Sequence, residues 1–137
     1  MRLPVISFLS TLLTLASSQN ITYNGIGSTP CQRHTISASQ AQVMAVAAAA
    51  NATSINVPQN IAVVDPAGSL VLFVRMDNAY PGSIDISMKK ARTSVLFNGI
   101  SSISLLNRSY SGGDLYGIEE TNGGLVVFGG GELLAFS

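Results

Sequence analysis

The chain has 137 residues, with seven Lys plus Arg balancing seven Asp plus Glu and only 10% of positions charged. That length suits one domain, and the balanced charge excludes the clustered basic footprint that nucleic-acid binding needs. A hydrophobic fraction of 47% supplies enough apolar surface for a core and excludes a disordered chain.

The first residues read as a secretory signal, 1–18. Arg2 gives a positive start, Val5 to Leu15 an apolar run, and Ala16-Ser17-Ser18 the small residues of a cleavage site. The run is shorter than the roughly 18 residues of a spanning helix, so the expected product is secreted, extracellular and free of membrane spans. Three N-x-[ST] tripeptides, at Asn20, Asn51 and Asn107, mark glycosylation sites of an exported protein. Cys31 is the single cysteine and cannot form an internal disulfide. It is read as a small, partly buried residue, with an intermolecular disulfide or a soft metal ligand as the alternatives.

Residues 19–36 read as an irregular leader. Ser37-Ala38-Ser39-Gln40 is a capping box, and the alanine-rich stretch from Ala41 to Ala50 is a helix. Its packing face is expected at Val43, Ala47 and Ala50, flanked by Met44 and Ala48. A hairpin follows, with strands at 60–64 and 69–76. Asp65-Pro66-Ala67-Gly68 supplies the turn chemistry between them. After a loop through Tyr80, Pro81-Gly82-Ser83 opens a second helix with Ser83 as its cap. Ile84, Met88, Ala91 and Val95 form its apolar stripe, Asp85 and Lys89 an i, i+4 pair, and Asn98-Gly99 its end. The segment 101–107 suits a short helix or a packed loop. Residues 115–120 and 125–128 flank Asn122-Gly123, the signal of a type I′ hairpin. Gly129-Gly130-Gly131 follows. The order of helix, two strands, helix, two strands is that of an α+β domain with an antiparallel sheet, spanning 37–137.

Three stretches carry a family resemblance. They are Ile61-Ala62-Val63-Val64-Asp65 with Gly68 and Leu70; Arg75-Met76-Asp77 through Gly82-Ser83-Ile84-Asp85-Ile86 to Lys89-Lys90-Ala91-Arg92-Thr93; and Leu115-Tyr116-Gly117-Ile118-Glu119 with Thr121-Asn122-Gly123-Gly124-Leu125 and the triple glycine. Over about residues 36–131 the chain resembles the GlcG/HbpS-like family, which is also similar to the C-terminal domain of PduO-type adenosyltransferases. The resemblance implies a profilin-like fold with helices packed on an antiparallel sheet, homo-oligomers, and heme binding in some members. Family members continue past the triple glycine with two more strands and a C-terminal helix. Here only Glu132 to Ser137 remains, so the chain also reads as a truncated copy or the product of a misassigned exon.

Heme requires an apolar slot, an axial ligand and cations for its propionates. His34, the only histidine, and Tyr80 are the axial candidates, ahead of Met76, Met88, Tyr116 and Cys31. Lys89 and Arg92 suit ligand carboxylates. Gly129, Gly130 and Gly131 allow close approach of a ligand to backbone amides. Without C-x-x-C-H, covalent c-type heme attachment is excluded. The sequence carries no G-x-S-x-G, H-E-x-x-H, Walker or G-x-G-x-x-G motif. An enzymatic alternative therefore rests on Asp77, Asp85 and Glu119 as acid–base carboxylates acting on a small metabolite; their plainer roles are turn, cap and exposed strand. Three readings stand: a secreted module binding heme or a related small anion between the second helix and the last hairpin; a small secreted enzyme; and a copy without function.

Overall fold

The computed structural model describes residues 29–32 and 34–132; the signal segment and the Asn20 sequon lie outside them. A single 3₁₀ turn, Pro30–Gln32, precedes the first helix. Cys31 lies on that turn and is exposed, which corrects the expectation of partial burial: a three-residue turn beside exposed Thr29 and Pro30 offers no interior for a thiol.

Helix α1 spans Ala38–Ser54 and opens on the capping box. The Gln40 amide donates to Ser37 Oγ at 3.2 Å, and the Ser37 amide donates to Gln40 Oε1 at 2.9 Å. The helix runs four residues past the alanine tract, with the Thr53 hydroxyl bonding back to the Ala49 carbonyl, and ends where Asn56 turns left-handed at φ 55°. Its buried face is Ala41, Ala45 and Ala52, not the expected Val43, Ala47 and Ala50. Val43 is 71% and Val46 63% exposed. In a helix with no charged residue, composition cannot orient the wheel; the close approach of a backbone to the sheet selects the smallest side chains for the inner face.

Strands β1 (Asn60–Val64) and β2 (Leu70–Arg75) pair antiparallel, Ile61 opposite Val74 and Val63 opposite Leu72, with a register irregularity between Val63 and Val64. Asp65 closes the turn as expected. Its Oδ1 accepts from the Ala67 and Ser69 amides at 2.9 Å each, and Gly68 takes the left-handed conformation, φ 81°. Helix α1 lies on both strands, whereas helix α2, Ser83–Leu96, lies on β1. β1 is thus the central element of the α+β core.

Ser83 is the first residue of α2 rather than its cap. Its hydroxyl donates back to the Tyr80 carbonyl at 2.9 Å, and Gly82 holds the cap position without a side chain. Past Gly99, residues 102–105 form a 3₁₀ turn and α3, Leu106–Ser109, a single helical turn. Leu105 is almost wholly buried there, fulfilling the packed-segment reading.

The last expected hairpin forms only in its turn. Asn122 and Gly123 both have positive φ, 54° and 76°, and Gly124 donates to the Thr121 carbonyl at 2.9 Å. The arms do not become strands: 118–120 is a 3₁₀ turn and 124–127 is irregular. The sheet of the described residues has two strands. Hydroxyl groups take over the holding of this C-terminal arm. The buried Thr93 Oγ1 accepts from the Val126 amide at 3.2 Å. The buried Ser102 Oγ donates to the Phe128 carbonyl at 2.7 Å and accepts from the Gly131 amide at 3.0 Å.

Candidate functional site

The site is built on the middle of α2. Residues three apart share a helix face, so Lys89 and Arg92 point the same way and Lys90 lies round the side. Lys89 pairs with Asp85 one turn earlier, Nζ to Oδ2 2.8 Å.

Two turns from distant parts of the chain come up against this face. A Cβ placed on Gly124 would lie 3.2 Å from the Lys89 Nζ, so the ammonium reaches directly over that residue. A Cβ on Gly68, in the β1–β2 turn, would lie 3.2 Å from Arg92 Cγ, and one on Gly123 3.8 Å from Arg92 Nη1. The guanidinium therefore lies beside two glycine turns. Among the described residues it has no hydrogen-bond or ion-pair partner, although a guanidinium carries five donors. An unpaired guanidinium, an ammonium and turn backbone at one place suit a carboxylate or phosphate.

Lys90 is used differently. Its Nζ donates to the Gly129 carbonyl at 2.5 Å and lies 4.0 Å above the Phe128 ring, a cation–π contact. Burial pushes its pKa below the ordinary lysine value, because desolvation disfavours the charged form. Gly131 is buried against the same helix turn: a Cβ there would collide with the Lys90 carbonyl oxygen and lie 3.1 Å from Ser94 Oγ. The triple glycine thus lets the arm press onto the α2 backbone. Gly129 and Gly130 meet the flexible side chains of Ile103 and Lys90.

The other sequence candidates disperse. Tyr80 is 80% exposed; its carbonyl accepts from Asn60 Nδ2 at 2.8 Å, which ties the entry of α2 to β1. His34 is exposed on the segment before α1. Met76 Sδ accepts from the Gln59 amide at 3.4 Å, Met88 is half-buried in α2, and Tyr116 is exposed. Of the three carboxylates, Asp85 is engaged by Lys89, Asp77 is exposed beyond β2, and Glu119 lies in the 3₁₀ turn before Asn122. The Asn51 and Asn107 side chains are exposed. Among the described residues no group of three or more His, Cys, Asp or Glu converges as a metal site, and no helix is long and apolar enough to cross a membrane.

Sequence reading did not single out Lys90, or the buried hydroxyls of Thr93, Ser94 and Ser102. The available signal was the polar pair Thr93-Ser94 beside the apolar stripe, which marks a second packed side of the helix. Ser94 Oγ and Asn60 Oδ1 are buried without a partner.

Comparison with known proteins gives consistent results. Residues 36–137 match the family described as "Haem degrading protein HbpS-like". An uncharacterised 15.0 kDa protein of Citrobacter freundii, from the dhaT-dhaS intergenic region, is 42% identical over 99 residues, covering 71% of this chain and 68% of that one. The crystal structure of Klebsiella pneumoniae protein ORFY superposes with a TM-score of 0.71 at 37% identity, covering 81% of this chain and 75% of the other.

Proposed function

The chain belongs to the HbpS-like family, and on that premise we propose that it is a binding module for heme or a related small anionic cofactor, held by Lys89 and Arg92 between α2 and the Gly123–Gly124 turn. One observation carries the reading: the Arg92 guanidinium has no partner among the described residues, yet lies beside two glycine turns. The donor set fits the acidic edge of heme, since Lys89 and Arg92 match paired propionates. On the iron side, Tyr80 and His34, both exposed, are the proposed axial donors. Bound heme would supply a redox-active iron and a strong Soret absorption.

The protein is read as secreted, on the signal segment 1–18 and the exposed Asn51 and Asn107, and as a homo-oligomer, on the exposed Val43 and Val46 face of α1. The carboxylates Asp77, Asp85 and Glu119 do not share a described contact, so no observation favours the enzymatic alternative.

A hemin titration followed by absorbance, with size-exclusion chromatography on the same sample, tests the proposal. A saturable Soret band on a discrete oligomer is expected, weakened in Arg92→Gln and Lys89→Gln. Replacing Tyr80 by Phe and His34 by Ala in turn identifies the axial donor through a shifted band. A flat titration on folded protein overturns the reading.

A further inference from the structure

The charge arrangement at this face goes beyond a pair of cations. Arg92 is free to accept an anion at once. Lys89 is not, because the Asp85 carboxylate holds its ammonium at 2.8 Å. Both groups retain solvent access, with side-chain exposures of 34% for Lys89 and 64% for Asp85, so the pair can open without unfolding anything. A ligand bearing one acidic group is satisfied by Arg92 alone. A ligand bearing two must take the Lys89 ammonium away from Asp85.

We propose that Asp85 is a built-in competitor for the second acidic group of the ligand, so that the Asp85–Lys89 pair sets the affinity of the site for dianionic ligands while leaving monoanionic and neutral ones unaffected. Lys89 is displayed at the right place for the exchange. Its Nζ and Cε lie 3.2 and 3.3 Å from where a Gly124 Cβ would be, directly beside the turn that borders Arg92 through Gly123. The pair is a solvent-accessible i, i+4 contact, and such pairs are weak. The competition is therefore modest and readily reversed, as a ligand-exchange device requires. No other charged group of the described residues is ion-paired to either partner; Arg108 and Asp114, the remaining pair, are engaged with each other at 2.6 Å.

This inference rests on the anion-binding reading above, and the test separates the two. Hemin, with two propionates, and hemin dimethyl ester, with none, are titrated into wild type, Asp85→Asn, Lys89→Gln and the double variant. Asparagine keeps the shape of the side chain and removes its charge. Asp85→Asn is expected to tighten hemin binding by about two- to five-fold, the range an exposed pair supports, and to leave the ester unchanged. In the Lys89→Gln background the same substitution has no effect, which a general gain in net positive charge would not reproduce. Unchanged or weaker hemin binding by Asp85→Asn, with wild type binding normally, overturns the competitor role alone. An equal gain for hemin and its ester does the same. Failure of folded wild type to bind either compound overturns the binding-site reading and the competitor role with it.

Discussion

Gly131→Ala isolates the contact that holds the C-terminal arm. The added methyl would meet the Lys90 carbonyl oxygen and carbon and lie 3.1 Å from Ser94 Oγ. Two of these are backbone atoms in the middle of α2, which cannot swing aside as a side-chain end would. The arm must therefore withdraw. Overpacking of this kind costs about 1–3 kcal/mol. Withdrawal also strains the bond from the Ser102 amide to the Gly131 carbonyl, 2.9 Å, and that from the Gly131 amide to Ser102 Oγ, 3.0 Å, at about 1 kcal/mol each. A loss of about 3 kcal/mol corresponds to a melting temperature lower by roughly 10–20 °C in a domain of this size. Thermal unfolding followed by circular dichroism measures it, with Gly129→Ala as the control, because there the nearest atom is the far end of Ile103 at 3.3 Å. If Gly131→Ala melts with wild type, the close approach of arm and helix is refuted.

Thr93→Val removes a fully buried hydroxyl that donates to the Lys89 carbonyl at 2.8 Å and accepts from Val126. The stranded Val126 amide should cost about 1–3 kcal/mol in urea unfolding, with Thr93→Ser restoring most of it. Asp65→Ala frees the Ala67 and Ser69 amides of the β1–β2 turn, a predicted loss of about 1–2 kcal/mol, whereas Asp65→Asn, which keeps an acceptor oxygen, should fall by less than half as much. Endoglycosidase treatment of protein secreted from a eukaryotic host should lower its mass, and Asn107→Gln should reduce that shift by one glycan; an equal shift in wild type and Asn107→Gln counts against this sequon. Asn51 adjoins the exposed Val46–Ala50 side of α1, so a sugar there and self-association by that face compete.

Local signals survived folding where a few neighbouring residues settle the geometry. The Ser37–Gln40 box, the Asp65–Gly68 turn, the Asp85–Lys89 pair and the positive φ at Asn122 and Gly123 each follow from side chains within four residues of one another. The signals that misled concern partners far along the chain. A uniform Ala and Val pattern left the α1 wheel unoriented until the sheet selected Ala41, Ala45 and Ala52. Apolar runs on both sides of Asn122-Gly123 suggested a two-strand ladder, but Val126, Phe128, Gly129 and Gly131 find their partners on Thr93, Ser102 and Lys90, 26 to 39 residues away. Lys89 and Arg92 were legible as candidate cations. The turns that meet them, Gly68 from one hairpin and Gly123–Gly124 from another, were visible only as turns.

The same packing explains why two adjacent lysines have different work. The arm is pressed onto α2 at Gly131, which brings the Gly129 carbonyl and the Phe128 ring to Lys90 and satisfies that ammonium internally. A helix rotates about 100° per residue, so fixing Lys90 against the arm turns Lys89 and Arg92 toward Gly124 and Gly123 and keeps them accessible. Stability and binding should therefore separate by residue. Lys90→Met keeps most of the apolar stem but loses the bond to Gly129, so it should lower the melting temperature while leaving the hemin affinity of the folded protein within about two-fold, a bound set by the weak screened field of one charge at a neighbouring surface position. Arg92→Gln breaks no bond of the described residues and should do the reverse. A variant of Lys90 that lost hemin binding at unchanged stability would place this ammonium in the site and refute the division.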